Sequence, residues 1–559
     1  MKHALDEMLT ECQKLHTKAR KRKHMTQTDN STSLFQSLWN AADILRASMD
    51  ANDYKSYLLG LIFYKYLSDK LLMAVCDNLD EPFDSLSQAL TVYTENYADP
   101  DVKEDLIDVL EDELGYVIDP TLTFASLVNS IHQESFQLED LAQGFRDIEQ
   151  SNEAFENLFE DIDLYSKKLG TTPQKQNKAI AQVILSLNDL DLAGHNGDIL
   201  GDAYEYLIGQ FASDSGKKAG EFYTPQAVSH LMTQIVFSGR ENQKGFTLYD
   251  PTMGSGSLLL NAKRYSHQAS TVSYFGQDNK TSTYNLARMN MILHGVATEN
   301  HHLRNGDTLD EDWPNTEPTD FDGVVMNPPY SQKWAASPGF LQDARFAPYG
   351  VLAPKSKADF AFLLHGYYHL KHNGVMAIVL PHGVLFRGNA EQKIRKHLLE
   401  EGAIDTIIGL PANIFYNTSI PTTIIILKKN RVSKDVFFID ASKEFDKGKN
   451  QNVMTDDHIA KILATYRDRQ TVDKFAYLAS FEEIVENDYN LNIPRYVDTF
   501  EEEPVIPLTE LADKLAETDK EIAETTAKLE EMLGQLVGTT PEAQAELEDF
   551  LAKLQWCSL

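Results

Sequence analysis

The feature that most constrains this chain is a short apolar run that stops at two consecutive prolines. Residues 321–326, Phe-Asp-Gly-Val-Val-Met, are typical of a buried strand, and Asn-Pro-Pro-Tyr at 327–330 follows directly. Because proline has no N–H to donate to a sheet, the strand has to end there, and Pro328 favours an extended backbone at the residue before it. The sequence therefore predicts a rigid corner at the carboxyl end of a strand, where open α/β sheets bind their ligands.

The corner carries groups that suit a flat ligand with an amino group. Asn327 brings a side-chain amide, and the carbonyl of Pro328 has no N–H beside it because Pro329 follows. Tyr330 adds an aromatic ring on which a planar base can stack. Taken alone, Asn-Pro-Pro can equally be only a strand terminator, so the rest of the chain has to separate the two interpretations.

From residue 246 onward, strand patterns alternate with helical ones, which is typical of a doubly wound α/β sheet. Strands are predicted at 246–249, 272–276, 321–326, 374–380, 404–409, 422–427 and 436–439. Helices are predicted between most of them, for example at 258–265, 284–294, 360–369 and 391–400.

The first connection from strand to helix, residues 250–257, reads Asp-Pro-Thr-Met-Gly-Ser-Gly-Ser. Its glycines allow close approach of a ligand to the backbone, and the N–H groups at the start of the next helix point at that ligand. The third glycine of the dinucleotide fingerprint is missing and an acid precedes the turn. This pattern disfavours a pyrophosphate and favours a ligand with a positive amino group, such as S-adenosylmethionine. A tight turn without a ligand is the plainer alternative.

Two acids end the next two units of the chain. Asp278 follows the strand at 272–276, where an acid can accept both hydroxyls of a ribose or can cap the following helix. Asp307 follows Gly306 and can either reach an adenine amino group or close a turn. For both acids the residues alone leave the two roles open.

Helical patterns without visible chemistry flank the α/β region. Residues 31–170 contain few strand signals, and the basic stretch at 18–23 before them is either a solvated tail or an arm for nucleic acid. Near the other end, apolar residues recur at every seventh position, which suits either a partner helix or a hairpin folded back on its own chain. These residues are Leu508, Leu515, Ile522, Leu529 and Leu536.

The net charge of −33 limits how this chain can meet nucleic acid. A protein that binds DNA without a partner usually carries a basic surface. The residues after the last predicted strand are acidic and helical and contain no candidate for a base-reading region. Either DNA is not the ligand, or another chain supplies most phosphate contacts and reads the sequence.

Cysteine usage and hydropathy indicate the cytoplasm. Cys12, Cys76 and Cys557 are scattered, which argues against disulfides and a zinc site, and no histidine spacing suggests a metal. No apolar run is long enough to span a bilayer, and the N-terminus lacks a signal-peptide pattern. We therefore expect a cytoplasmic protein without a bound metal or a membrane contact.

The succession of motifs resembles one family. A glycine turn, an acid after the next strand, a second acid and then Asn-Pro-Pro-Tyr is similar to DNA adenine-N6 methyltransferases that use S-adenosylmethionine, and Glu-Phe-Tyr-Thr-Pro at 221–225 narrows the match. With its helical flanks, the chain from residue 31 onward resembles the modification subunit of a type I restriction–modification system. The resemblance implies an α/β, Rossmann-like doubly wound methyltransferase domain, preceded by an α-helical domain and followed by a helical tail.

The resemblance also implies a role for each motif. The target pocket would consist of Asn327, Pro328, Pro329 and Tyr330, with Phe415 as a weaker candidate for its wall. Within the cofactor site, Asp278 would bind the ribose and Asp307 the adenine. The residues expected to bind S-adenosylmethionine are Glu221, Phe222, Tyr223, Thr224, Pro225, Gln226, Asp250, Pro251, Gly254, Ser255, Gly256, Ser257, Asp278 and Asp307.

Partners and a domain layout follow from the same resemblance. The expected parts are a basic, amphipathic tail at 1–30, a helical domain at 31–170, the methyltransferase domain at 171–500 and a helical tail at 501–559 that docks the specificity subunit. In such a complex two modification subunits flank one specificity subunit, and a restriction subunit can join them. The expected activity is site-specific methylation of an extruded adenine in DNA, which protects the host from restriction.

Three alternatives compete with this interpretation. Protein glutamine N-methyltransferases also use Asn-Pro-Pro-Tyr, but they are shorter and lack the 221–225 segment. A standalone DNA methyltransferase would need its own base-reading region. A scaffold that has lost catalysis would have no use for the intact motifs at 250–256 and 327–330.

Overall fold

The computed structural model divides the chain into two compact units, Met1–Asp498 and Thr499–Leu559. The residues that it describes are 42–46, 49, 51–190, 197–214, 223–313, 316, 318–415, 419–448, 451–499 and 508–554. Some predicted features lie outside these ranges, namely the tail at 1–30 with its basic stretch and the candidate site residues Glu221 and Phe222.

Helices around a shared apolar core form the N-terminal part of the first unit. They are α1 (Ala51–Asn78), α2 (Leu86–Ala98), α3 (Pro100–Leu114), α4 (Phe124–His132), α5 (Leu138–Ser151), α6 (Pro173–Asn188) and α7 (Gly197–Asp214). Local signals set several of their ends. The Ser85 hydroxyl accepts a hydrogen bond from the N–H of Gln88 at the start of α2, Pro100 begins α3, and Gly115 ends α3 with a left-handed φ of 80°.

A sheet forms the core of the remainder of this unit. Its strands and those of a small separate hairpin are β1 (Thr247–Asp250), β2 (Ser273–Asp278), β3 (His301–Asn305), β4 (Phe321–Met326), β5 (Leu370–Pro381), β6 (Ile404–Gly409), β7 (Thr422–Lys428), β8 (Val436–Asp440), β9 (Asp446–Lys447), β10 (Asn452–Val453) and β11 (Ala476–Ala479). The sheet order is β11-β8-β6-β7-β5-β4-β1-β2-β3, while β9 and β10 pair with each other. Strands β7 and β11 run antiparallel to their neighbours, and the other neighbouring pairs are parallel.

The strand order reverses between β1 and β4. From β1 the chain moves outward to β2 and β3, whereas β4 continues to β5 on the other side. Because β1, β2 and β4 are parallel, their carboxyl ends meet at one edge, and the crevice at such a reversal is where doubly wound sheets bind ligands. The predicted doubly wound α/β fold, with helices before and after it, is confirmed.

Helices cover both faces of the sheet. They are α8 (Gln226–Phe237), α9 (Ser257–Leu260), α10 (Ala262–Tyr265), α11 (Thr281–Leu293), α12 (Asp359–Tyr368), α13 (Asn389–Glu400), α14 (Asp456–Asp468) and α15 (Phe481–Glu486). Val228 of α8 and Ile459 of α14 belong to one apolar layer, and Phe360 of α12 and Ile394 of α13 belong to the other. Met289 of α11 is part of the N-terminal helical core, so α11 joins that core to the sheet.

Two sheet strands were not predicted. β3 reads His-His-Leu-Arg-Asn, and its side chains are half-buried or exposed, so it lacks an apolar pattern. β11 reads Ala-Tyr-Leu-Ala and forms the opposite edge of the sheet. The expectation that the chain is only helical after residues 436–439 is therefore wrong. Short edge strands carry too little burial to stand out in a hydropathy pattern.

The second unit contains α16 (Leu508–Gly534) and α17 (Pro541–Leu554), with the predicted break between them. Its apolar seam lies on the surface of the unit. Leu508, Leu515, Ile522, Leu529 and Leu536 are between 47% and 83% exposed. Across the described ranges of the whole chain, no helix has both the length and the hydropathy needed to cross a membrane.

Candidate active site

A cavity lies at the carboxyl ends of β1, β2 and β4, where the sheet order reverses. The topology brings to it the glycine turn after β1, the acid at the end of β2, the corner after β4 and the segment before α8. The predicted residues that line it are Tyr223, Thr224, Pro251, Gly254, Ser255, Ser257, Asp278, Asp307, Asn327 and Pro329.

The other predicted residues that the structure describes lie beside this lining. Pro225 and Gln226 line an adjoining cavity, which Tyr223 also borders. Asp250, Gly256 and Pro328 belong to the strand ends and turns that carry the lining residues. Tyr330 is half-buried in the corner after β4.

Sequence reasoning missed some residues of the cavity. Lys280, Gln332 and Phe362 line it and were not proposed. Phe362 lies in the apolar helix α12, where an aromatic residue is typical of a core position. Gln332 stands two residues after the corner, and no motif marks it. Of these three residues, only Lys280 stands near a predicted site residue, because it lies two positions after Asp278, the last residue of β2.

The turn after β1 requires its glycines. Gly254 and Gly256 both have left-handed φ angles, 54° and 81°. A Cβ on Gly256 would lie 3.4 Å from the terminal methyl of Met291 in α11, so the turn is also closely packed. The Asn290 side chain donates to the carbonyl of Ser255 at 3.0 Å, and this bond ties the turn to the same helix.

Asp250 ends β1 with a fully buried carboxylate. Its Oδ1 accepts hydrogen bonds from the N–H and the hydroxyl of Thr252, at 2.9 and 3.1 Å. Its Oδ2 has no hydrogen-bond partner among the described residues. Burial, with a smaller contribution from the charge of Asp278, raises the pKa of Asp250 to about 7. The site therefore holds an acid that a nearby positive charge would ionise.

The two other acids both line the cavity. Asp278 accepts from the N–H of Lys280 at 2.9 Å, and burial raises its pKa to about 6. It does not cap α11, because Lys280 is the N-cap residue of that helix. Asp307 accepts from the N–H of Leu309 at 3.0 Å, so it closes a turn as one of its two predicted roles requires. Asp307 closes this turn and also lines the cavity.

The corner after β4 holds the amide of Asn327 between two hydroxyl groups. Asn327 is 5% exposed, and its Nδ2 donates to the Thr224 Oγ1 at 3.0 Å. The Tyr330 hydroxyl donates to the Asn327 Oδ1 at 2.9 Å. Burial raises the pKa of Tyr330 well above its ordinary value, so this hydroxyl keeps its proton and remains a donor. The amide carbonyl thus faces the side of the corner where the tyrosine lies.

A buried ion pair supports this corner from below. Ser331 has a left-handed φ of 55°, and its N–H donates to the Asp359 Oδ1 at 2.8 Å. Arg387 donates to the other oxygen of Asp359, also at 2.8 Å. A non-glycine residue in this conformation needs such support, so Asp359 and Arg387 hold the chain immediately after Tyr330.

Phe415 lies against the corner, where it was proposed as a weaker candidate for the pocket wall. Its ring packs edge-on to the ring of Tyr330, with centroids 6.0 Å apart, and it is 2% exposed. Phe415 therefore supports the tyrosine ring from the buried side.

Arg345 supports the loop that carries Asp307. Its guanidinium donates to the carbonyls of Thr308 and Leu309, at 2.9 and 3.1 Å, and the Thr308 hydroxyl in turn donates to the carbonyl of Pro251. Arg345 is 2% exposed and pairs with Asp343 at 2.7 Å. No pattern in the sequence predicts this contact, because an isolated arginine has no motif.

Among the described residues, Asp312, His365 and His369 form a group with the spacing of metal ligands. Each ring nitrogen of the two histidines already has a protein partner. His365 contacts the Tyr249 hydroxyl and Arg345, while His369 contacts Asp312 and the carbonyl of Thr319. Because a guanidinium lies within this group, it is an unfavourable place for a cation, and we interpret it as a buried polar network.

Comparison with known families gives two matches that together cover most of the chain. Residues 195–504 match the family model described as N-6 DNA Methylase. Residues 34–187 match the model described as HsdM N-terminal domain. The first match contains every described residue of the cavity and of the corner.

Individual relatives agree with these matches. The chain is 35% identical over 533 residues to the type I restriction enzyme MpnII methylase subunit of Mycoplasma pneumoniae, which covers 89% of this chain and 95% of that relative. It is 30% identical over 529 residues to the MjaVII methylase subunit of Methanocaldococcus jannaschii, covering 90% and 84%. A crystal structure of a type I restriction–modification methyltransferase subunit from Streptococcus thermophilus superposes with a TM-score of 0.82 at 74% identity, covering 84% of this chain and 100% of that one.

Proposed function

Because this chain belongs to the methylase subunits of type I restriction enzymes, a family of N6-specific DNA methyltransferases, we propose that it moves a methyl group from S-adenosylmethionine to N6 of an extruded adenine. The modified base would protect host DNA from restriction. The proposal also assigns a role in this transfer to each residue of the site.

The observation that carries the proposal is that two motifs share one cavity. Asn327, after β4, lines the same cavity as Gly254 and Ser255, after β1. A base amino group held at Asn327 would therefore lie close to a cofactor held at the glycine turn. Such proximity is what a direct transfer between two bound molecules requires.

The residues present fit S-adenosylmethionine. Its amino and sulfonium groups are positive, and three acids stand in or beside the cavity, namely Asp250, Asp278 and Asp307. The partnerless buried oxygen of Asp250 is an acceptor that such a ligand can use, directly or through water. When bound, the cofactor supplies an activated methyl group on a good leaving group.

The protein's part in the transfer is to bind and orient the adenine. Inside a duplex the amino group is out of reach, so the base has to leave the stack. Tyr330 offers the ring on which it stacks, and Phe415 packs edge-on against that ring. The carbonyls of Asn327 and Pro328 accept hydrogen bonds from the two N6 hydrogens, which draws the nitrogen lone pair out of conjugation and aims it at the methyl group. As the bond from N6 to the methyl carbon forms, the bond from that carbon to sulfur breaks, S-adenosylhomocysteine leaves, and N6 loses one proton to solvent.

Entry of the base adds a donor to the Asn327 carbonyl. In this structure the Tyr330 hydroxyl donates to the Asn327 Oδ1, the atom that the adenine amino group would use. An amide oxygen has two lone pairs, so it can accept from the tyrosine and from the base at the same time.

Sequence reading belongs to a partner in this proposal. The net charge of −33 suits a chain that leaves most phosphate contacts to another subunit. We assign the helical domain at 31–170 and the methyltransferase domain at 171–500 to one body, and the tail at 501–559 to docking of the specificity subunit. Two modification subunits would flank one specificity subunit, with a restriction subunit as a further partner, in the cytoplasm.

The test is the variant Asn327→Ala in the full-length chain expressed with its specificity subunit. We expect transfer of tritiated methyl groups to unmodified genomic DNA to fall by at least about a hundredfold, since the amide is needed to orient the base. Binding of S-adenosylmethionine should stay within about threefold of the unmodified protein, because a neutral side chain outside the cofactor's charged contacts is removed. Undiminished labelling of DNA by this variant would refute the proposal.

A further inference from the structure

The side chain of Asn327 has two chemically different ends, and the activity depends on which of them faces the target. Its Oδ1 is an acceptor and its Nδ2 is a donor of two hydrogens. The two ends have nearly the same shape, so packing alone does not choose between them. The adenine amino group donates hydrogens, and it can bind the carbonyl end but not the NH₂ end.

We propose that Thr224 is a positioning residue for this amide, which accepts a hydrogen bond from the Nδ2 while the Oδ1 is left to face the target base. The proposal rests on the function given above and deepens it. The segment before α8 would then position the amide that binds the target base, in addition to lining the cavity.

The contact that supports this role is short and buried. The Asn327 Nδ2 and the Thr224 Oγ1 lie 3.0 Å apart, and the two residues are 5% and 6% exposed. Solvent therefore does not compete for either group. If the amide were reversed, its NH₂ would point at the amino group of the base, and two donors would be buried against each other without an acceptor.

Tyr330 and the target base use the same end of the amide. The tyrosine hydroxyl donates to the Asn327 Oδ1 in this structure, and the amino group of the base would donate to the same atom, which has two lone pairs. Thr224 instead contacts the Nδ2, the end that the base does not use.

Thr224 is itself held in place on both sides. Because Pro225 follows it, its backbone is restricted to extended conformations, and the Pro225 carbonyl accepts from Val228 and Ser229 in the first turn of α8. On the other side, Tyr223 packs on Gly209 of α7, where a Cβ would lie 3.3 Å from the tyrosine ring. The described residues on either side of Thr224 thus contact α7 and α8.

The experiment compares Thr224→Val with Thr224→Ser in the full-length chain, expressed with its specificity subunit. Valine keeps the shape and removes the hydroxyl, whereas serine keeps the hydroxyl. The rate is measured in a single turnover at saturating S-adenosylmethionine, with unmodified genomic DNA, and the cofactor Kd is measured separately by titration. We expect Thr224→Val to slow transfer by about tenfold, the size of one lost neutral hydrogen bond, and Thr224→Ser to stay within about twofold of the unmodified protein.

The cofactor measurement separates this role from simple ligand binding. If Thr224 acted only as a wall of the cofactor site, the rate of Thr224→Val would recover fully at saturating S-adenosylmethionine, and that result would overturn the proposal. Equal losses in the valine and serine variants would also overturn it, because the hydroxyl would then not matter. A failure of the underlying function is distinguishable, since Asn327→Ala would in that case still label DNA.

Discussion

A single buried carboxylate makes cofactor binding depend on pH. Burial raises the pKa of Asp250 to about 7 in the protein without ligand, and a positively charged cofactor favours the ionised form. At pH 8 most copies of this group are ionised, whereas at pH 6 only about one in ten is. We therefore predict that S-adenosylmethionine binds about tenfold more weakly at pH 6 than at pH 8, as measured by calorimetric titration across this range.

The matched variant for this prediction is Asp250→Asn, which keeps the shape and removes the ionisation. It should bind more weakly at pH 8 and lose most of the dependence between pH 6 and pH 8. Any remaining dependence should lie lower, where Asp278 ionises with a pKa of about 6. An unchanged pH profile in Asp250→Asn would show that another group is responsible.

The functional side chains could be predicted only in part from the sequence. Asn327 and Tyr330 stand next to two prolines, so their motif was visible. Thr224 was predicted as a cofactor-site residue, but its contact with Asn327 was not, because the two residues lie about a hundred positions apart. The contact of Asp359 in α12 with Ser331 was not predicted either. Contacts between residues so far apart in the sequence depend on the order of the strands in the sheet, which a single sequence does not reveal.

Among the elements, the glycine turn after β1 combines a left-handed backbone with van der Waals contact to α11. Gly256 has a φ of 81°, and a Cβ there would meet Met291 at 3.4 Å. We predict that Gly256→Ala lowers the free energy of unfolding by about 1–2 kcal/mol, from the left-handed conformation alone. Because the turn lines the cavity, the affinity for S-adenosylmethionine should fall as well, in a titration at constant pH.

Gly295, just after α11, provides the control for this substitution. It also has a left-handed φ, 64°, but a Cβ there would meet nothing within 4 Å, and it is not part of the cavity lining. Gly295→Ala should therefore show a similar loss of stability in denaturant unfolding without a loss of cofactor affinity. If both variants bind the cofactor equally well, the packing of the turn is not what shapes the site.

Among the strands, those that the sequence pattern predicted are largely buried. β4 is buried along its whole length and apolar except for Asp322, and it was predicted with its observed bounds. β3 is a polar strand at the edge of the sheet and was missed. An edge strand is held by backbone hydrogen bonds to a neighbour, which any side-chain sequence can make, so hydropathy carries little information about it.

For the molecule as a whole, the acidic charge and the exposed apolar seam both favour attachment to a partner. The chain has a net charge of −33, and the seam on α16 presents apolar side chains at every seventh position on the surface of its unit. An apolar heptad seam is the usual surface for pairing with another helix. The helical tail therefore suits attachment to a partner that supplies what this chain lacks for binding DNA.

The last prediction separates assembly from catalysis. In the double variant Ile522→Glu with Leu529→Glu, two charges would be placed in the seam, and burying them against a partner helix is unfavourable. We expect this variant, like a chain that ends before Leu508, to lose co-purification with the specificity subunit.

The cofactor-binding unit lies in Met1–Asp498, so its affinity for S-adenosylmethionine should remain unchanged in both proteins. Ala527→Glu is the control, since it adds one such charge to α16 at an exposed position away from the seam and should co-purify normally. Normal co-purification of the double variant would place the docking surface elsewhere on the chain.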